Sequence, residues 1–455
     1  MTATRRVQHL FGIAGFFGVA VSLSGAETSN ASVRPVTFAR DVAPILQEHC
    51  QECHRKGSMA PMSLVTYEEA RPWAKAIREQ VIKRQMPPWH IDRTVGVQQF
   101  KNDMSLSDGQ VNTIVQWVES GAPLGDLKDM PPPKQWGAEN EWKAATVLGQ
   151  PDFVIKSDAY TMPAHAQDVF WRPTSSVPVT EARWARAVEM RPGTLAGRRI
   201  THHATATLVQ EEPGVDSSLG GRGLLMEWAI GKGYDLFRPN TGKLLLPGSQ
   251  ISWELHLHSV GEEIRDNVEL GVWLYPKGQE PKYRTFLTAF HADLPGKPTA
   301  TNRTTRRLDI PPNSVVESQY DTVLKQNAII ENFQPHMHLR GRAMTVEAIL
   351  PDGSKQIVSS IKRFNFNWMT NYIYADDAAP VLPKGTIIRV TAQFDNTSNN
   401  VGNPDPNQWV GFGERTVDEM SHAWMNVTYI SDEEYTTWAA AQKQKRQTAD
   451  ASLRR

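Results

Sequence analysis

The chain contains only two cysteines, and both fall in one five-residue stretch, Cys50-Gln51-Glu52-Cys53-His54. That spacing fastens a haem covalently through two thioethers and offers the adjacent imidazole to the iron. A local disulfide would leave His54 without a role, and a zinc site would need partner cysteines that the chain lacks. The motif therefore predicts one covalent haem c on Cys50, Cys53 and His54. Haem attached in this way is loaded on the outer side of a membrane, so the motif also predicts export. The N-terminus agrees: Arg5 and Arg6 precede an apolar run over residues 10–23, and Ser24-Gly25-Ala26 puts small residues where a signal peptidase cuts. Residues 1–26 are read as a signal peptide, giving a periplasmic or secreted protein. The alternative is an uncleaved anchor, for which the run is short of the ~20 residues a spanning helix needs. No later segment reads as transmembrane, so no stable membrane span is expected after cleavage.

A length of 455 residues exceeds what one core usually holds, and two or three domains are expected. The 49 basic and 49 acidic residues balance without a long basic block, which removes the electrostatic case for binding nucleic acid or acidic lipid. With both cysteines committed to haem, no disulfide is left to staple the fold, so stability must come from large cores and bound metals. Of the thirteen histidines, six fall into three tight pairs. Pairs suggest ligands.

Residues 34–128 carry a helical pattern, with Phe38, Val42, Ile45 and Leu46 at helix spacing ahead of the cysteines and an amphipathic run over 67–83. A third helix is expected over 107–120, started by Ser107 and Asp108, with Val111, Ile114, Val115 and Val118 on one face. Together these predict a small all-α, cytochrome c-like haem domain. Residues 129–150, with Pro131-Pro132-Pro133, read as a stiff linker. Beyond Pro151 the texture becomes short runs rich in Val, Ile, Thr and aromatics between Pro-Gly and Asp-Gly turns, the pattern of antiparallel β-sandwiches. A Pro/Thr/Asn-rich patch over 295–305 divides this region into two β domains, 151–294 and 295–432, and residues 433–455 read as a charged surface helix fraying into a tail.

A low-spin haem needs a sixth ligand, and a thioether suits a high potential. Met86 is the candidate: Pro87 and Pro88 hold the following chain extended, so no helix covers its sulfur. His90 is the alternative, whereas Met59 and Met62 lie where the chain must turn away and are assigned to packing.

His202-His203, His256-Leu257-His258 and His336-Met337-His338 each sit in or at the end of an expected strand. Alternate strand residues share a face, so each of the last two pairs can reach one ion. Adjacent His202 and His203 can do so only at a strand end or bulge. Imidazole suits copper, zinc, iron and nickel alike, and an added thioether favours copper(I). One such pair alone would be read as surface or cross-strand packing; three in one exported, haem-bearing chain point to metal.

Arg191-Pro192-Gly193, His202-His203-Ala204, His258-Ser259 and Pro335-His336-Met337-His338-Leu339-Arg340-Gly341 follow in an order that closely resembles the copper type II, ascorbate-dependent monooxygenases. That group includes peptidylglycine α-hydroxylating and dopamine β-monooxygenases; the nearer likeness is to bacterial forms with an N-terminal cytochrome c domain. The resemblance continues through Leu382-Pro383-Lys384-Gly385-Thr386, Phe394-Asp395-Asn396-Thr397 and Thr416-Val417-Asp418-Glu419-Met420, covering about 151–430. It implies two jelly-roll-like copper domains and two copper ions. His202, His203 and His258 would hold an electron-transfer copper; His336, His338 and Met420 would hold the copper that meets dioxygen. Met425 rivals Met420 only if the alignment slips. His256 matches no ligand position and is assigned to packing, and His165, His291 and His422 receive no role. Unlike the animal enzymes, this chain has no disulfides, and its own haem puts ascorbate in doubt as the direct reductant, with ascorbate or another donor left to reduce the haem.

The function this implies is hydroxylation of a C–H bond by dioxygen, on an unidentified small-molecule or peptide substrate, with electrons from a periplasmic donor. A non-enzymatic haem–copper carrier or redox sensor is the alternative, and a cytochrome fused to a zinc- or sugar-binding sandwich a third reading.

Overall fold

Apolar and polar residues alternate through much of the chain beyond residue 151, and the computed structural model realises this as antiparallel strands. The structure describes residues 34–56, 58, 60–136, 141–211, 223–293 and 308–441. The expected signal peptide, Met59, the dividing patch over 295–305 and the end of the C-terminal tail lie outside them. The molecule is mostly β-sheet with few helices, and its sheets pack face to face as sandwiches. Among the described residues, no helix is long and apolar enough to cross a membrane.

Among the described residues, the three longest helices before the sheets are α1 (Ala43–His49), α2 (Ala74–Ile82) and α3 (Asp108–Glu119). A π-helical turn, Phe38–Val42, leads into α1 and buries Phe38 and Val42 beside Ile45 and Leu46. The amphipathic run expected over 67–83 is broken at Arg71–Trp73, because Pro72 cannot donate within a continuous helix. Helix α3 begins on a capping box, in which Ser107 accepts from the Gln110 amide at 3.1 Å and Gln110 accepts from the Ser107 amide at 2.8 Å. It buries Val111, Ile114 and Trp117, leaving Val115 and Val118 at the margin of that core.

The chain between α2 and α3 leaves the helices and lies against the second sandwich. Trp89 packs edge-on to Tyr372 at 4.6 Å, and Ile91 and Phe100 form bridges with Ile361 and Tyr374. Thr370 donates to the Pro88 carbonyl at 3.2 Å, and the Asn102 amide to the Asn371 carbonyl at 2.7 Å. Farther on, Trp142 and Ala144 are buried with Ala187 and Trp273, while Glu189 accepts from the backbone of Lys143 and Ala144.

The principal strands are β1 (Phe153–Lys156), β2 (Val169–Trp171), β3 (Arg183–Pro192), β4 (Thr201–Val209), β5 (Leu224–Ala229), β6 (Thr241–Leu245), β7 (Gln250–Leu257), β8 (Val268–Leu274), β9 (Tyr283–His291), β10 (Val315–Val323), β11 (Asn327–Ile330), β12 (Asn332–Met337), β13 (Gly341–Ile349), β14 (Lys355–Ile361), β15 (Ile387–Asp395) and β16 (Ser421–Ile430). One long sheet runs β1-β8-β3-β6-β9-β16-β11, with β12 also on β16. Its first part packs on the sheet β2-β7-β4-β5 around Val188, Leu270, Ala206 and Trp253. Its second part packs on β10-β15-β13-β14 around Phe290, Val427, Val346 and Phe394. Each such fully buried side chain contributes about 1.5–3 kcal/mol. Strand β9 joins the two parts, parallel to β6 on one side and antiparallel to β16 on the other. Residues 432–441 form a helix whose Tyr435 and Trp438 pack against the second core.

Candidate metal centre

In the first sandwich, β4 pairs with β7 so that His203 faces His256 and Thr201 faces Leu257. His202 is the extra residue of a bulge, which is how two adjacent histidines come to share one side. Their Nδ1 atoms approach to 3.0 Å, and ligand atoms of His202, His203 and His256 all lie within 4.8 Å of one another. His256 is stacked on Phe170 at 4.4 Å, with its Nε2 held 2.9 Å from Asp168 and its buried Nδ1 unpartnered. His258 follows the end of β7 and stands farther off, its ring 6.4 Å from that of His202.

In the second sandwich, β12 pairs with β16 so that His336 faces His422 and Met337 faces Ser421. His338 and Met420 each lie one residue beyond this last pair. Met420 is buried, as are His336 and His338, whose rings lie 5.6 Å apart. Met425 has the opposite parity on β16 and packs in the sandwich core. His338 Nδ1 lies 3.1 Å from the Asp418 carbonyl, which assigns the proton to Nδ1 and leaves a buried, unpartnered Nε2. Glu419 accepts from the backbone amides of His338 at 2.9 Å and Arg340 at 2.5 Å, and Arg340 in turn donates to Asn396 and the Val417 carbonyl.

The two groups meet. His203 lies 5.6 Å from His336 and His202 lies 6.4 Å from His338, ring to ring, while Phe366 stacks on His202 at 4.7 Å. Burial, then the neighbouring imidazoles, pushes His202 down to about 2 and holds His203 and His336 well below the usual histidine range. His338 is pushed to about 4, again chiefly by burial. Neutral, buried rings, with His336 Nδ1 and His338 Nε2 unpartnered, are the donor set that a borderline or soft cation takes up, so these residues fit copper. Burial raises the carboxyls behind them, Glu227, whose Oε1 is 3.8 Å from His336 Nδ1, to about 7 and Glu419 to about 8.

At the cysteines, the amides of Cys53 and His54 return to the Cys50 carbonyl at 3.2 and 2.9 Å, closing one helical turn that sets the three side chains on a common side. Both thiols are unbridged. The His54 Nδ1 lies 3.3 Å from the Met62 carbonyl, and donation there leaves Nε2 for an iron. This donor set fits a haem c. Met86 lines a cavity of about 250 Å³ with Trp89, His90 and Leu106, a wall in which Cys50, Cys53 and His54 take no part.

The sequence does not single out Asp168, Glu227, Phe366 or Asp293, shows Glu419 only inside the run that ends at Met420, and gives His291 and His422 no role. Each meets its partner across strands distant in sequence, and only the register of β9, β16 and β12 could have exposed the trio His291, Asp293 and His422.

No family model matches the chain, and no curated protein does. Among solved structures, the major capsid protein P2 of bacteriophage PM2 overlaps with a TM-score of 0.28 at 9% identity, covering 61% of this chain and 97% of that one. The VP2 subviral particle of infectious bursal disease virus gives 0.17 at 11% identity, covering 64% and 74%. Overlaps this weak carry no functional inference.

Proposed function

We propose that the chain is an exported haem c- and copper-containing monooxygenase that hydroxylates a C–H bond: RH + O₂ + 2e⁻ + 2H⁺ → ROH + H₂O. In this reading residues 34–128 are a cytochrome c domain, followed by two jelly-roll-like copper domains. The carrying observation is that His202 and His203 of one sandwich and His336 and His338 of the other converge, neutral and buried, in one cluster. His202, His203 and His258 would hold one copper; His336, His338 and Met420 would hold the other; Cys50, Cys53, His54 and Met86 would hold the haem. Bound there, these groups would supply single-electron transfer and dioxygen activation.

The chain's own residues prepare the pocket. The Asp418 carbonyl fixes the His338 tautomer, and Glu419 clamps the turn between His338 and Arg340. Phe366, stacked on His202 and edge-on to His338, keeps water from the space between the groups. The docked segment around Trp89 and Ile91 ties the helical part to the second sandwich, which would hold a haem there at a fixed distance from that sandwich. Protein matured in a periplasm with copper present should carry two coppers per haem, with two distinct type II paramagnetic resonance signals. If His336→Ala with His338→Ala leaves the copper content unchanged, the assignment fails. Steady oxygen uptake coupled to a hydroxylated product separates the enzyme from a mere electron carrier.

A further inference from the structure

We propose that His291, Asp293 and His422 bind a third metal ion, zinc, at the seam between β9 and β16, independently of the two copper assignments. His291 and His422 are direct partners across β9 and β16, and His422 is in turn the partner of His336 across β16 and β12. Three imidazoles therefore stand in a row on three adjacent strands. Asp293 closes the outer end: its Oδ1 lies 3.2 Å from His291 Nδ1 and its Oδ2 lies 3.3 Å from His422 Nε2. Ligand atoms of all three residues fall within 4.8 Å of one another, the spread that a small shift of two rings converts into a coordination sphere.

The chemistry narrows the ion to a borderline dication, of which zinc is the one proposed. Two imidazoles and one carboxylate form a nitrogen–oxygen set without sulfur, which suits zinc and lacks the thioether that favours copper(I). Asp293 has no solvent exposure, and its Oδ2 also accepts from the Ser421 amide at 2.8 Å, so the carboxylate is fixed in place. A buried carboxylate between two imidazoles calls for a positive charge, which a dication supplies. The side chain of His291 is 26% exposed, giving the ion a way in and leaving room for water as a further ligand. A zinc here would pin β9 to β16 and fix His422 as the wall behind His336.

The test uses the full chain, stripped with chelator and titrated with zinc alone. A variant with alanine at His202, His203, His336 and His338 should still bind one zinc per chain, and adding Asp293→Asn should weaken that binding at least about tenfold. In the otherwise unaltered protein, which avoids any folding defect of the fourfold variant, His291→Ala should remove one bound zinc while leaving both copper signals in place. No zinc on the fourfold variant, or zinc that neither His291→Ala nor Asp293→Asn disturbs, overturns the site. Failure of the copper reading would appear separately, as copper content indifferent to His336 and His338.

Discussion

The histidines of the two sandwiches are built in opposite ways. Those of the first sit on a bulge at a strand end, with His258 beyond the last paired residue and with Asp168, 31% exposed, behind His256. In the second, His336 sits in regular register and His338 one residue past it, with His338 and the Glu419 that holds its backbone both fully buried. A bulge with a solvated partner can re-aim its rings at little cost; a buried lattice of hydrogen bonds cannot. The first group is thus suited to a centre that only passes electrons. The second is suited to one whose geometry must survive binding and reaction.

The largest expected effect tests the rigid side. His336→Ala with His338→Ala should remove one of two coppers and lower turnover at least about a thousandfold, since residues acting as one unit are lost together. Retained turnover with only one copper bound would reverse the roles given to the two sandwiches. The adaptable side comes next, through His256 and His258. The resemblance gives the ligand role to His258, whereas the backbone brings His256 nearer to His202. His258→Ala should abolish the signal of the first copper, while His256→Ala should weaken copper binding there by about 10–100-fold. The opposite ranking, read by copper titration, would make His256 the ligand.

How much of this was legible follows from the same contrast. Residue identity marks a ligand pair when the two residues are neighbours in sequence, as at His202-His203 and His336-Met337-His338, and period-two alternation marks the strands that carry them. The α3 start was legible because a capping box is local, and Ser107 and Gln110 are three residues apart. The break at Pro72 was legible in principle, as a proline within a helical pattern. Register is not local. Nothing in the sequence aligns His291 with His422, brings Glu227 to His336 or lays Trp89 on Tyr372, because those meetings depend on which strand lies beside which.

Acid and base should act on the metal-free protein with opposite signs. The buried histidines stay neutral when folded but take up protons below about pH 6.5 when unfolded. His338, with its folded value near 4, therefore loses its stabilising contribution as the pH falls from 6.5 toward 4, and His202, His203 and His336 add to the same slope. Glu227 and Glu419 are protonated in the fold and ionise near 4.3 in the unfolded chain, so their contribution falls as the pH rises toward about 7 and 8. Each group changes the slope by about 1.4 kcal/mol per pH unit within its window. Four histidines against two carboxylates make stability rise up to about pH 6.5 and fall from there toward 7, above which Lys243, its folded value lowered by burial to about 7, offsets Glu419. Thermal melts from pH 4 to 8 should show that maximum, and a curve still climbing above pH 7 would contradict it.

The smallest effect isolates the backing of each group. Glu419→Gln keeps the size of the side chain, but its amide nitrogen cannot accept from both the His338 and Arg340 backbone amides, so one buried donor is orphaned at a cost of about 1–3 kcal/mol. Asp168→Asn alters a partly exposed contact whose lost bond water can replace, and should cost under about 1 kcal/mol. Denaturant titration of the metal-free variants reads both. Equal costs would mean that the second group is no more rigidly supported than the first, and the division of labour drawn from that rigidity would have no physical basis.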